Sequence, residues 1–180
     1  MIIDLSVIIN NETKTYFGDP KVNLKQIASL SKDGFNNYEL SINMHASTHI
    51  DGPMHMDDTK KYISNYGLDR FYGQARLVKQ GEPYEYKGES IVCMIRNDVP
   101  LSHAFVNQLI KHKIKMIVVD SESIEDAPYE LHKKLFSHSI MIVENAVNLS
   151  LLKPFKQFMI YAMPLKVEAD SSPVRLFAIV

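Results

Sequence analysis

Two hydrophobic periods alternate along the chain. It opens on IIDLSVII, short and β-branched, and then on the turn-like NNET, which together predict a strand running into a loop. The loop continues as KTYFGDPKV, where Gly18, Asp19 and Pro20 suit a tight turn and Tyr16 and Phe17 are aromatics on an otherwise polar segment. The spacing over Asn23 to Leu30 predicts a short helix, and FNNYELSINMHASTHID alternates as extended chain does. Downstream, ARLVKQ, SIVCMIRND, IKMIVVD, SIMIVEN and FKQFMIYAMPL read as strands. Two helices are predicted between them. LSHAFVNQLIKHK has Ser102 as N-cap with Phe105, Leu109 and Ile110 on one face, and DAPYELHKKLFSH has Pro128 near its start with Leu131 and Leu135 together. Strands and helices alternate in the second half only, a pattern that predicts an α/β (α+β) fold with a mixed sheet and packed helices.

At 180 residues the chain suits a single domain, 1–180, with no repeat or linker in it. Twenty basic residues against 21 acidic leave a net charge of -1, and no basic run is interleaved with aromatics, so nucleic acid is not an expected partner. The apolar runs are broken well before the roughly 20 residues of a membrane span. One cysteine, Cys93, and a start without a basic, apolar leader predict a cytoplasmic protein. GxGxxG, GxxxxGK[ST] and GxSxG are missing, which removes the usual nucleotide and serine-hydrolase signatures.

The chemistry concentrates in HASTHIDGPMHM. Three of the chain's seven histidines, His45, His49 and His55, fall within eleven positions and Asp51 lies between them. All four occupy odd positions, so extended chain projects them to one side, and Gly52 and Pro53 disfavour a helix there. Imidazole and carboxylate suit Zn²⁺ or Mn²⁺, and two His with one Asp meet the three ligands of an open catalytic site. A second place is ELHKKLFSHSIMIVENAVNL. Glu144 follows an apolar run, where a carboxylate needs a partner or a cation, and either His132 or His138 stands ready nearby.

Together these segments resemble the cyclase family of metal-dependent hydrolases, the family of bacterial kynurenine formamidase and isatin hydrolase. Its signature HxGTHxDxPxHF stands here as HASTHIDGPMHM. DLS, YFGDP, VDSESIED, the His twelve residues before the Glu of VENAVNL, and ADSSPVR in the closing stretch match in order. The resemblance implies a swivelling β/β/α fold, a homodimer or homotetramer, and a small-molecule substrate. It implies that His45, His49 and Asp51 hold one metal ion, Zn²⁺ or Mn²⁺, and that Asp51, His132 and Glu144 serve a second, which selects His132 over His138. His55 matches the family's acid/base position and Tyr16 an aromatic beside the substrate. The implied activity is arylformamidase-like hydrolysis of an amide-type C–N bond by hydroxide generated at the metal. Ser47 and Met56 depart from the signature's Gly and Phe, MIRND stands where many members carry Arg-Thr-Gly-Trp, and the chain has no Trp. Cys93, within IVCMI, is expected to be a buried small hydrophobe, and Arg175 to tie the C-terminal strand to its neighbours.

Overall fold

The computed structural model describes residues 1–96 and 101–180; the last part of MIRND, Asn97 and Asp98, lies outside them. In chain order the elements are β1 (Ile2–Asp4), β2 (Asn23–Ala28), α1 (Leu30–Asp33), β3 (Asn37–Ser41), β4 (His49–Asp51), β5 (Tyr72–Lys79), β6 (Ile91–Ile95), α2 (His103–Lys111), β7 (Met116–Val119), α3 (Glu130–Ser137), β8 (Met141–Glu144), β9 (Phe158–Pro164) and β10 (Ser171–Ile179).

Eight of these strands form one mixed sheet in the order β1-β10-β4-β8-β7-β6-β5-β9, and β9 pairs back onto β10, so the sheet curls closed like a barrel. The run β5-β6-β7-β8 is parallel and the remaining pairings are antiparallel. Parallel neighbours need long crossovers, and α2 and α3 supply them between β6, β7 and β8. Helices on one face and the closed sheet on the other bury these strands twice over, which is why they read as unbroken apolar runs. Along β6, Ile91 and Cys93 belong to the core enclosed by the sheet, while Val92 and Met94 pack with Leu109 of α2 and with Leu135 and Phe136 of α3. The mixed sheet with packed helices is the fold class the sequence predicts, and Cys93 is fully buried, which pushes its thiol well up.

The start of α2 has a local cause. Ser102 caps α2 by accepting a hydrogen bond from the Phe105 N–H at 3.1 Å. Its inward face is Val106 and Leu109, and α3 turns Leu131, His132, Leu135 and Phe136 inward. At the far edge, the Arg175 guanidinium donates to both carboxylate oxygens of Asp4, at 3.1 and 2.7 Å, joining β10 to β1.

The helix expected over Asn23 to Leu30 is instead the strand β2, followed by the single turn α1. Leu24, Ile27 and Ala28 fit a helical period, and the ladder with β3, Leu24 opposite Leu40 and Gln26 opposite Tyr38, overrides it. This hairpin is a separate two-stranded sheet. Among the described residues no helix is long and apolar enough to cross a membrane.

Candidate active site

β4 is three residues long, and its register assembles the site. His49 and Asp51, two apart, share one face of the strand. In the ladders on either side His49 stands opposite Glu144 of β8 and Asp51 opposite Ser171 of β10. Thr48 anchors the approach: its hydroxyl accepts from the Val7 N–H and donates to the Asn145 carbonyl, both at 2.8 Å. Ser47 then takes a left-handed backbone, φ 63°. Its carbonyl accepts from Asn145 Nδ2 and faces His49 Nδ1, each at 3.0 Å. His49 Nδ1 therefore carries the proton, and Nε2 is the bare nitrogen.

The extended reading of HASTHIDGPMHM holds only for His49 to Asp51. His45 comes in from a turn, and His55 from a 3₁₀ turn over Pro53–His55. Proline favours that outcome, because at the first helical position its missing N–H costs nothing and its φ is already helical. The turns still gather all four side chains. His45 Nδ1 lies 3.0 Å and His49 Nε2 3.5 Å from Asp51 Oδ1, and the rings of His45 and His55 are 4.2 Å apart.

Glu144 continues the chain of contacts. Its Oε2 is 3.6 Å from His49 Nε2 and its Oε1 is 3.4 Å from His132 Nε2. On α3, His132 is buried, and Glu125 Oε1 accepts from its backbone N–H at 2.7 Å and faces its Nδ1 at 3.0 Å. His138 is exposed at the end of α3. Among the described residues, two trios of donor atoms each lie mutually within 4.8 Å, His45–His49–Asp51 and His45–His55–Asp170. Asp51, His132 and Glu144 meet only through the His132–Glu144 contact.

The donor set suits a cation. Asp51 Oδ1 is buried and receives no aligned hydrogen bond, while a nitrogen of His45 and one of His49 face it and Glu144 stands on the far side of His49. Two ligands at 2.0–2.1 Å from a tetrahedral ion stand about 3.3 Å apart, and the spacings here run from 3.0 to 3.6 Å. Burial pushes the Glu144 carboxyl up against the pull of His132, whereas for Asp51 the facing histidines overcome burial and hold it down. Burial also works against a charged His45, but the facing carboxylates of Asp170 and Asp51 raise it to about 10 in the ion-free chain.

These groups form the floor of a cavity of about 310 Å³ whose mouth is bordered by Tyr16, Met56 and Tyr129. Tyr16 is half exposed, and its hydroxyl lies 3.3 Å from that of Tyr129. Sequence reasoning gave Asp170 no role in the site and passed over Glu125. Asp170 lies 115 residues from His55, and only the β4–β10 pairing brings the two together.

The Cyclase family model matches residues 3–92, half of the chain and all of HASTHIDGPMHM. The chain belongs to the Cyclase family. Its whole length is similar to a kynurenine formamidase of Bacillus cereus (strain ATCC 10987 / NRS 248), 27% identical, with 96% of this chain and 94% of that one covered. The Cyclase-family fold is seen again in an isatin hydrolase bound to the product analogue thioisatinate (TM-score 0.84, 18% identity, 99% and 92% of the two chains covered). It is also seen in isatin hydrolase A from Labrenzia aggregata bound to benzyl benzoate (TM-score 0.83, 18% identity, 100% and 93% covered). His132, Glu144 and Asp170 lie beyond the matched span, and the fold carries them back to it.

Proposed function

We propose that this Cyclase-family chain is a metal-dependent hydrolase that cleaves an amide-type C–N bond of a small molecule, with a kynurenine formamidase-like preference. The observation that carries this reading is the convergence of His45 and His49 on the buried Asp51 Oδ1, which receives no aligned hydrogen bond, at the floor of a cavity. His45 Nδ1, His49 Nε2 and Asp51 Oδ1 would hold a Zn²⁺ or Mn²⁺ ion, and Glu144, between His49 and His132, would serve a second. When bound, such an ion lowers the pKa of water toward neutrality and polarises a carbonyl.

The protein's own groups do the rest. His55, beside His45 and lining the cavity, holds and delivers the proton that the departing nitrogen requires. Tyr16 and Tyr129 form an aromatic wall for an aryl substrate. Asp51 and Glu144, both ionised at neutral pH when an ion is held, would offset two of the four positive charges of a dinuclear site, leaving it cationic toward an anionic transition state. A homodimer or homotetramer in the cytoplasm completes the proposal, supported by the apolar side chains exposed on the β2–β3 hairpin.

The test is hydrolysis of N-formylkynurenine by the protein purified without chelator, assayed alone, with added Zn²⁺ or Mn²⁺, and after chelation, with isatin in parallel. Metal-dependent turnover with kcat/KM of about 10⁴ M⁻¹s⁻¹ or more on the formamide is the expected result. Turnover of isatin alone would move the assignment to cyclic amides. A metal-loaded protein inert to both would overturn the formamidase reading.

A further inference from the structure

Asp170 stands outside the donor set proposed above, yet it touches both that set and the acid/base histidine. Its Oδ2 lies 3.0 Å from His45 Nε2 and 2.9 Å from His55 Nδ1, and its Oδ1 accepts from the Ser171 hydroxyl at 3.2 Å. The same hydroxyl is 3.0 Å from His45 Nε2. The backbone that carries Asp170 is pinned on both sides: the Gly52 N–H donates to the Asp170 carbonyl at 2.9 Å and the Ile63 N–H to the Ala169 carbonyl at 2.8 Å. A side chain at position 52 has no room there, because its Cβ would meet the Asp170 carbonyl oxygen at 2.9 Å.

We propose that Asp170 is a positioning residue, a single carboxylate that fixes which ring nitrogen bears the proton in both His45 and His55. The inference rests on the ligand and acid/base roles proposed for those two histidines. An ionised carboxylate only accepts hydrogen bonds, so each nitrogen facing it must be an N–H. With an ion held, His45 then keeps its proton on Nε2 and offers Nδ1, beside Asp51, as the ligand nitrogen. His55 keeps its proton on Nδ1, and Nε2 is the nitrogen left to exchange a proton in the cavity. The two hydrogen bonds also stop either ring from flipping. One carboxylate thereby couples the aim of a metal ligand to the aim of the proton carrier.

The experiment is histidine-ring NMR on the isotopically labelled full chain loaded with Zn²⁺, run alongside competition of Zn²⁺ against a chelator, for wild type, Asp170→Asn and Asp170→Glu. The wild type is expected to show His45 protonated on Nε2 and His55 on Nδ1. In Asp170→Asn the His55 signal moves to a mixture of both tautomers and Zn²⁺ binding weakens roughly 10- to 100-fold. Asp170→Glu, which keeps a carboxylate, recovers part of both, and Glu168→Gln, an exposed change nearby, alters neither. A wild-type His55 protonated on Nε2, or an Asp170→Asn protein with unchanged tautomers and unchanged affinity, overturns the proposal. Neither readout uses substrate. A chain inert to N-formylkynurenine that shows these shifts loses the formamidase reading and keeps Asp170, whereas an active chain whose tautomers ignore Asp170→Asn loses only the latter.

Discussion

Asp51 and His55 sit within a few ångströms of one another, but they serve different steps, so substitutions at the two should separate. Asp51→Asn removes a carboxylate whose Oδ1 is buried among imidazole nitrogens. It should abolish bound metal, measured by elemental analysis of the purified protein, and activity with it. His55→Ala should retain the metal and lower kcat by about 10²- to 10⁴-fold, the usual worth of a positioned acid/base group. Equal metal content in both variants with equal activity would contradict the assignment. The His45 ring gives a second prediction. Its value in the ion-free chain, about 10, lies above the ordinary 6.5, so its contribution to ion-free stability is complete below about 6.5 and is lost as pH rises through 10. An ion taking Nδ1 must expel the proton held there, so at pH 8 Zn²⁺ binding should release roughly one proton per ion from this ring and tighten as pH rises. Calorimetry in Tris and HEPES, whose ionisation enthalpies differ, measures that proton directly. His45, His49, Asp51 and His55 were legible in the sequence because they crowd one short window. Glu144 was legible as a carboxylate closing an apolar run. Asp170 was not, since it meets His45 and His55 only across a long stretch of chain, and Glu125 was not, since the loop that folds it back onto the nearby His132 has no periodic pattern. Ser47 shows a subtler limit: it stands at the signature's Gly position and takes a left-handed backbone, φ 63°, which a serine does not announce.

The helices and parallel strands were the easiest elements to anticipate, because a strand buried on both faces and a helix buried on one carry unmistakable periods. Ser102 is the clearest case, an N-cap read from the sequence and present in the fold as an Oγ accepting the Phe105 N–H. Ser102→Ala should lower stability by about 1 kcal/mol. Chemical denaturation should show the midpoint falling with the slope unchanged, and Zn²⁺ affinity should hold, because α2 contributes no donor to the site. The misread element is β2. Six residues with apolar positions at 24, 27 and 28 satisfy a helical period, and what makes them a strand is β3, whose residues pair with them from across the hairpin. The 3₁₀ turn at Pro53 was missed for a related reason: proline forbids a helix interior but favours a helix start, and composition alone does not distinguish the two. The exposed β2 and the turn at Pro53 thus depended on a partner and an end, buried elements on their own periods.

At the scale of the whole molecule, the β2–β3 hairpin has too little to hold it. Two strands alone are marginal in water, and this pair, with its connecting turn, exposes Ile27, Leu30, Phe35, Tyr38 and Leu40, each about half exposed or more. A second copy of the chain is the partner that the proposed homodimer or homotetramer supplies, since burying these side chains would give the ribbon the third layer it lacks. The hairpin also reaches the active site through the loop before it. Asn11 is clasped to Leu24, its Oδ1 accepting from the Leu24 N–H at 2.7 Å and its Nδ2 donating to the Leu24 carbonyl at 3.1 Å, and Tyr16 follows on the same loop to meet Tyr129 at the cavity mouth. Assembly and substrate binding should therefore move together. Light scattering on the eluting protein is expected to give twice or four times the 20.6 kDa of one chain. A double change, Phe35→Ser with Tyr38→Ser, should shift it toward the monomer, and in the same samples KM should rise several-fold while Zn²⁺ affinity stays at the wild-type value, because no metal donor lies on the hairpin. A wild type that elutes as a monomer with a stable hairpin would show that the ribbon stands without a partner, and a monomeric variant with unchanged KM would show that the Tyr16 loop is held from its own side of the cavity.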